Sequence, residues 1–213
     1  MKKMKKITNL MIIAVVCIFT TTSVFAQATK NTPSKQISNL TAAADFADYG
    51  YQNKSSLALI TAASILNATP ANEKKVAGEE NAEFSAKQLL EDAKKLANGD
   101  QAVLAMITKV EGQKPEKTRG SMSELLAYNC RIMAGAVKVY QITYVANSKA
   151  EISVKSSAAA IPEIIVENSK GEIVKSESSD KGYFTWTPSK AESYKITLKN
   201  ASTDDMKCVF ITN

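Results

Sequence analysis

The spacing of apolar residues changes partway along this chain, and no single type of element can satisfy both halves. From Gln36 to about Gln113 apolar side chains recur at steps of three and four, the period that places them on one face of a helix. Past Cys130 they alternate with polar ones, the period of strands with one dry and one wet face. The expected fold is α+β in two units. A small N-terminal bundle of about four helices occupies 36–112, a linker 113–127, and an antiparallel β-sandwich 128–213, jelly-roll-like with about seven or eight strands.

In the first half, Ile37, Leu40, Ala44, Ala47 and Tyr51 form one face of a helix that Gly50 and Asn53 are expected to end. Ser55 or Ser56 can cap the next helix by accepting from its free amides. That helix is apolar around most of its girth, with Leu59, Ala62, Ala63 and Leu66 on one side and Leu57 and Ile60 on the other, so it is expected to be the buried one. Phe84, Leu89, Leu90, Ala93, Leu96 and Ala97 make a third stripe, closed by Asn98-Gly99. Asp100 caps a fourth helix carrying Val103, Leu104, Ile107 and Val110. "EGQKPEKTRGSMS" is polar, with Gly and Pro, and reads as linker.

Seven short runs rich in β-branched and aromatic residues follow, from "AVKVYQITYV" at Ala136 to "MKCVFITN" at Met206. "NSKG" reads as a hairpin loop in which Gly171 takes the left-handed conformation. Tyr194, Ile196 and Leu198 alternate with Lys195, Thr197 and Lys199. Phe184 and Trp186 are two apart and so share a face, with Thr185 and Thr187 on the other. Trp186 could stack on a ligand, but aromatics opposite threonines are the pattern of a core face, and packing is the favoured reading.

Laid out as strands, "VYQITYVANSKAEISV", "FTWTP" and "YKITLKN" before a last strand "CVFITN" resemble the pre-peptidase C-terminal β-sandwich, a domain appended to secreted bacterial proteases and other exported proteins. Trp186, Pro188 and Asn200 carry most of the resemblance, which covers roughly the last 80 residues. It implies an accessory sandwich rather than a catalytic domain. Members often carry an Asp-x-Asp pair where this chain has "IPEIIV", so only Glu163 stands there as a ligand for a hard cation. Asp180, Asp204 and Asp205 could add oxygens from loops, yet calcium needs six to eight. No cofactor is expected, with calcium on these carboxylates as the disfavoured alternative.

The N-terminus addresses the chain. "MKKMKK", an apolar run and Val24-Phe25-Ala26 make a secretory leader over 1–26, with cleavage before Gln27. The uninterrupted apolar part ends at Phe19, too short to span a bilayer. Cys17 follows Val16 rather than a small residue, which disfavours a lipoprotein. The protein is expected to be exported, periplasmic or secreted, with no membrane span once the leader is removed. Without the four leader lysines the balance is 23 basic against 21 acidic side chains. Arg119 and Arg131 are the sole arginines, so nucleic acid is not an expected partner. Cys130 and Cys208 remain, and either a disulfide or two buried thiols fits them.

Several chemistries lack their residues. With no histidine in the chain, Ser-His-Asp and Cys-His pairs are excluded in their usual form. Two cysteines do not complete a zinc shell, and no phosphate loop or dinucleotide fingerprint occurs. Glu79-Glu80 and Asp204-Asp205 are adjacent in sequence, unlike an acid/base pair facing across a cleft. Tyr49 and Tyr51 flank Gly50 and are expected to pack the hairpin turn; the alternative is the lip of a ligand surface. The expectation is an exported, non-catalytic binding or accessory module for a protein or an envelope glycan. The alternative is a hydrolase-related enzyme using carboxylates or a Ser/Lys pair.

Overall fold

Each helix begins where a short polar side chain can take a free amide. In the computed structural model, Ser34, Ser55 and Ser85 cap α1 (Lys35–Gln52), α2 (Ser56–Ala68) and α3 (Ala86–Ala97), each accepting from the backbone N–H three residues on. Asp100 caps α4 (Gln101–Glu111) by accepting from Ala102 and Val103. The structure describes residues 32–69, 71, 84–113, 125–156, 162–177 and 182–213, with backbone alone for 175–177. The leader with Cys17, the Glu79-Glu80 pair, most of the linker, Arg119 and Asp180 lie outside these residues.

Asn98 closes α3 in the left-handed conformation, φ 47°, with Gly99 following at 88°. Helix α2 lies against α1, α3 and α4, as its apolar girth requires. Gly50 does not end α1, contrary to the sequence reading. It sits inside the last turn because a Cβ there would lie 2.5 Å from Cδ2 of Leu59, which is wholly buried. The glycine serves close helix approach at the α1–α2 corner, and Asn53 is the C-cap.

Eight strands follow: β1 (Leu126–Ile132), β2 (Val137–Tyr144), β3 (Ala150–Ser156), β4 (Glu163–Glu167), β5 (Ile173–Glu177), β6 (Tyr183–Trp186), β7 (Glu192–Lys199) and β8 (Met206–Thr212). They form two antiparallel sheets, β1-β8-β3-β6 and β2-β7-β4-β5. The pairs β1·β8, β2·β7, β3·β6 and β4·β5 are those of one long hairpin rolled up, the jelly-roll arrangement. Asn168 accepts the Gly171 amide at the β4–β5 turn, and Gly171 has φ 80°.

The inward residues of both sheets make one core. Tyr128, Tyr140 and Phe210 stack in line, with centroids 6.4 and 4.4 Å apart, beside Ile152, Val166, Ile196 and Leu198. Phe184 is fully buried there, and Trp186 packs at its margin, its ring edge-on to Tyr144 and Tyr194 at 4.7 and 5.5 Å. Cys130 and Cys208 are register partners on β1 and β8 and form a disulfide with Cα atoms 5.1 Å apart. Asn200 is wholly buried: its Nδ2 donates to the carbonyls of Ile132, Met133 and Asp204, and its Oδ1 accepts from the Ser202 amide and hydroxyl. One side chain thereby ties the β1–β2 and β7–β8 turns together.

The outer face of β1-β8-β3-β6 is covered by the helices. Ala127, Tyr183 and Ile211 belong to the same apolar cluster as Ile37, Leu40, Leu59, Leu89 and Ile107. The order is therefore helices, sheet, sheet, and residues 31–213 form one compact unit. Strand β1 begins at Leu126, within the segment assigned to linker.

Candidate functional site

Alternate residues of β3 point outward toward α1, and they meet it in step. Oε1 of Glu151 accepts from the Ser34 amide at 2.8 Å, the Ser153 hydroxyl lies 3.0 Å from that of Thr41, and Nζ of Lys155 lies 2.8 Å from Oδ1 of Asp45. From Ser34 to Asp45 the helix axis rises about 16 Å, and from Glu151 to Lys155 the strand advances about 13 Å. Helix and strand thus run side by side over this distance, joined at three points.

The first link is the most buried. Glu151 has a side chain only 2 % exposed, yet it is charged in context: Lys149 Nζ donates at 2.8 Å and the Tyr183 hydroxyl at 2.7 Å. Lys149 also donates to the Thr32 carbonyl at 2.7 Å. Burial works against the Glu151 charge, but the bonds from Lys149, Tyr183 and Ser34 outweigh it and hold the carboxyl below its ordinary value. Burial, then the bond to Glu151 and the charge on that carboxylate, push the Tyr183 hydroxyl upward. The carboxylate also sits at the N-terminus of α1, where a negative charge is favoured.

Beyond the third link a cleft of about 670 Å³ opens. One wall is the same stripe of α1 carried onward, Asp48 and Gln52, with Tyr51 at the rim. The start of α3 supplies a second wall with Gln88 and Asp92. The sheet supplies the third with Asn129, Lys155 and Lys207. Ala44 and Ala47 leave the space, and Phe84, Leu89 and Val209 line its apolar part.

Hydrogen bonds close one end. The Tyr51 hydroxyl donates to Oδ2 of Asp92 at 3.1 Å, joining α1 to α3, and the same oxygen accepts from Gln88 Nε2 at 3.0 Å. Lys95 pairs with Oδ1 at 2.7 Å. Burial opposes the Asp92 charge, but bonds from Lys95, Gln88 and Tyr51 prevail and lower its pKa. Partial burial, the bond to Asp92 and the charge on Asp92 push Tyr51 up to about 12. Asp48 accepts from Gln52 Nε2 at 2.8 Å and has no cation beside it among the described residues.

Of the residues singled out in the sequence, Tyr51 reaches the cleft, while Tyr49 is exposed on α1 away from its lining. Neither packs the hairpin turn; Gly50 and Leu59 do. The carboxylates considered for a cation are engaged separately: Glu163 with Lys199 at 3.3 Å on the β4–β7 ladder, Asp205 with the Arg131 guanidinium and the Ala134 amide. Asp204 uses its backbone carbonyl in the Asn200 network. Among the described residues no three metal-ligating side chains converge. Asp48, Asp92, Lys155 and Lys207 were missed by sequence reasoning. Asp45 and Asp48, which fall on one helix face at i and i+3, were the available signal.

No protein-family model matches the chain, and no curated protein does. The similar solved structures include PliG of Aeromonas hydrophila, a periplasmic inhibitor of g-type lysozyme, at 9% identity over 45% of this chain and 90% of that one, TM-score 0.37. The Yersinia pseudotuberculosis-derived mitogen matches at 13% identity over 43% and 86%, TM-score 0.37. A cupin domain of Bordetella pertussis matches at 10% over 44% and 84%, TM-score 0.24. None of these three is a pre-peptidase C-terminal domain, and likeness at this level decides nothing about role.

Proposed function

We propose that this is an exported, non-catalytic binding or accessory module, and that the cleft between the α1/α3 wall and the sheet is where it contacts a protein or an envelope glycan. One observation carries the reading: a cleft within the size range of ligand sites, apolar in part and rimmed by amides, carboxylates and ammonium groups. The leader-like N-terminus and the disulfide support an oxidising, exported setting. The pre-peptidase C-terminal resemblance belongs to this reading as a statement about scaffold. Two of the residues that carry it, Trp186 and Asn200, pack and tie the sandwich rather than line the cleft.

A carboxyl-based hydrolase needs an acid whose pKa is raised. Among the described carboxylates of the cleft, Asp92 is held low and Asp45 is paired with Lys155, which speaks against either as that acid. The test compares the leaderless protein with a Gln88→Trp variant that fills the mouth. Binding to purified cell-wall sacculi and to soluble envelope proteins is measured for both. Binding lost in the variant is the expected result; binding that the variant retains, or turnover of the bound material, contradicts the reading.

A further inference from the structure

The sheet β2-β7-β4-β5 ends on β2, and the edge it leaves there is long and carries no exposed charge. The Asn200 amide donates to the Ala136 carbonyl, which fixes the parity of the β2–β7 ladder. Ala136, Lys138, Tyr140, Ile142 and Tyr144 turn their backbone groups to β7, so Val137, Val139, Gln141 and Thr143 turn theirs to the free side. The side chains of those four residues are exposed on the outer face, Val137 at 56 % and Val139 at 46 %. Neither a proline nor a register shift interrupts the strand. Its one charged side chain, Lys138, is buried on the core side with a contact of its own there. Edges of this kind invite a further strand. The other three edges of the two sheets are guarded: β6 has four residues, β5 has five beside a register shift, and β1 carries the exposed Arg131.

We propose that two copies of this chain pair through this edge, β2 against β2 in antiparallel order about a two-fold axis at Tyr140. In that register Val139 lies opposite Gln141 of the second copy and Val137 opposite its Thr143, and the amides and carbonyls of all four residues find partners. Lys138 falls opposite Ile142 rather than its own counterpart, so no like charges meet. The two Val139 side chains become diagonal neighbours across the axis and cover apolar surface that is wet in the single copy. The charges on this face are already answered within each copy, Lys195 by Glu167 at 2.8 Å and Lys199 by Glu163 at 3.3 Å. Two such faces therefore come side by side without net repulsion. An unrelated strand would have to match eight residues of edge without a charge; a second copy does so by symmetry. The pair is also closed, because it uses up the edge and does not grow into a filament. None of these residues lines the cleft, so the interface is separate from it.

Sedimentation velocity of the leaderless protein, at concentrations up to about 100 μM, should show a dimer. Val139→Lys sets two ammonium groups diagonally across the axis, and Val139→Glu sets two carboxylates there. Each variant alone is expected to dimerise at least about tenfold more weakly than wild type. Mixed in equal amounts, the two should pair again, now through opposite charges and with a dependence on salt. Val139 is exposed, so neither change touches the core, and circular dichroism with Trp186 fluorescence checks that both variants fold. Should one not fold, Gln141→Lys and Gln141→Glu repeat the comparison, because Gln141 also meets its counterpart diagonally across the axis. A monomer at every concentration, a dimer unmoved by the single variants, or a mixture that stays monomeric overturns the proposal.

Discussion

The hydroxyl of Tyr183 on β6 donates to the Glu151 carboxylate at 2.7 Å, and that same oxygen receives the Ser34 amide at the start of α1. A strand side chain therefore helps hold the group that caps a helix far away in sequence. Because the folded carboxyl is held below its ordinary value near 4.5, the unfolded chain binds its proton first as pH falls. The stabilisation is complete above the unfolded value and is lost as pH drops through the lower folded one. Glu151→Gln keeps the shape without the charge, costs about 1–2 kcal/mol at neutral pH, and flattens the acid limb. Urea midpoints of both proteins from pH 7 to pH 3 check this; parallel curves would contradict it.

The Cys130–Cys208 bridge closes a loop over a sequence separation of 78. Loss of so large a loop constraint costs up to about 4 kcal/mol on the chain-entropy account. The Cys130→Ala, Cys208→Ala protein should unfold at a clearly lower denaturant midpoint than the oxidised wild type. Reductant should move the wild type toward the variant and leave the variant unchanged.

Gly50→Ala sets a helix-propensity gain of about 1 kcal/mol against a Cβ pressed 2.5 Å from Leu59. Leu59 is wholly buried, so overpacking of about 1–3 kcal/mol wins and the variant is less stable. Leu59→Ala alone costs about 2–5 kcal/mol. Combined with Gly50→Ala it should cost less than the sum, because the clash goes with the side chain. An additive cycle would show that the two residues do not press on one another.

Tyr51 should titrate late. Its hydroxyl is pushed to about 12 by partial burial and by Asp92, and a phenolate there would face a carboxylate. Asp92→Asn removes the charge and leaves the burial, so the Tyr51 pKa falls toward, but not to, its ordinary value. Ultraviolet titration of the variant against wild type, with Tyr51→Phe to assign the signal, reads the shift. No change would place Asp92 out of electrostatic reach.

The sandwich was legible because seven of its strands are short runs rich in β-branched and aromatic residues, and Tyr194, Ile196 and Leu198 are dry as read. Strand β1 was not among those runs. Residues on both its faces are buried, Tyr128 among the sheets and Ala127 under the helices, and a strand dry on two sides has no alternation to show. Tyr183 lies on the helix-facing side of β6 and is buried in the cluster shared with the helices. Gly50 was readable as a break in the helix but not as a space for Leu59, because the space belongs to another helix. The cleft was the least legible feature. It exists between elements spread from α1 to β8, and nothing local in Asp48 or Lys207 records the other.

All of this depends on helices and sandwich unfolding as one body. The chain has one tryptophan, Trp186, at the margin of the sandwich core, so its fluorescence reports the sheets while far-ultraviolet ellipticity at 222 nm reports mainly the helices. A urea titration of the leaderless protein followed by both signals should give a single shared midpoint. Loss of helical signal while Trp186 stays in its folded environment would mean that the helical layer is not bound to the sheet, and that the cleft between them has no fixed walls.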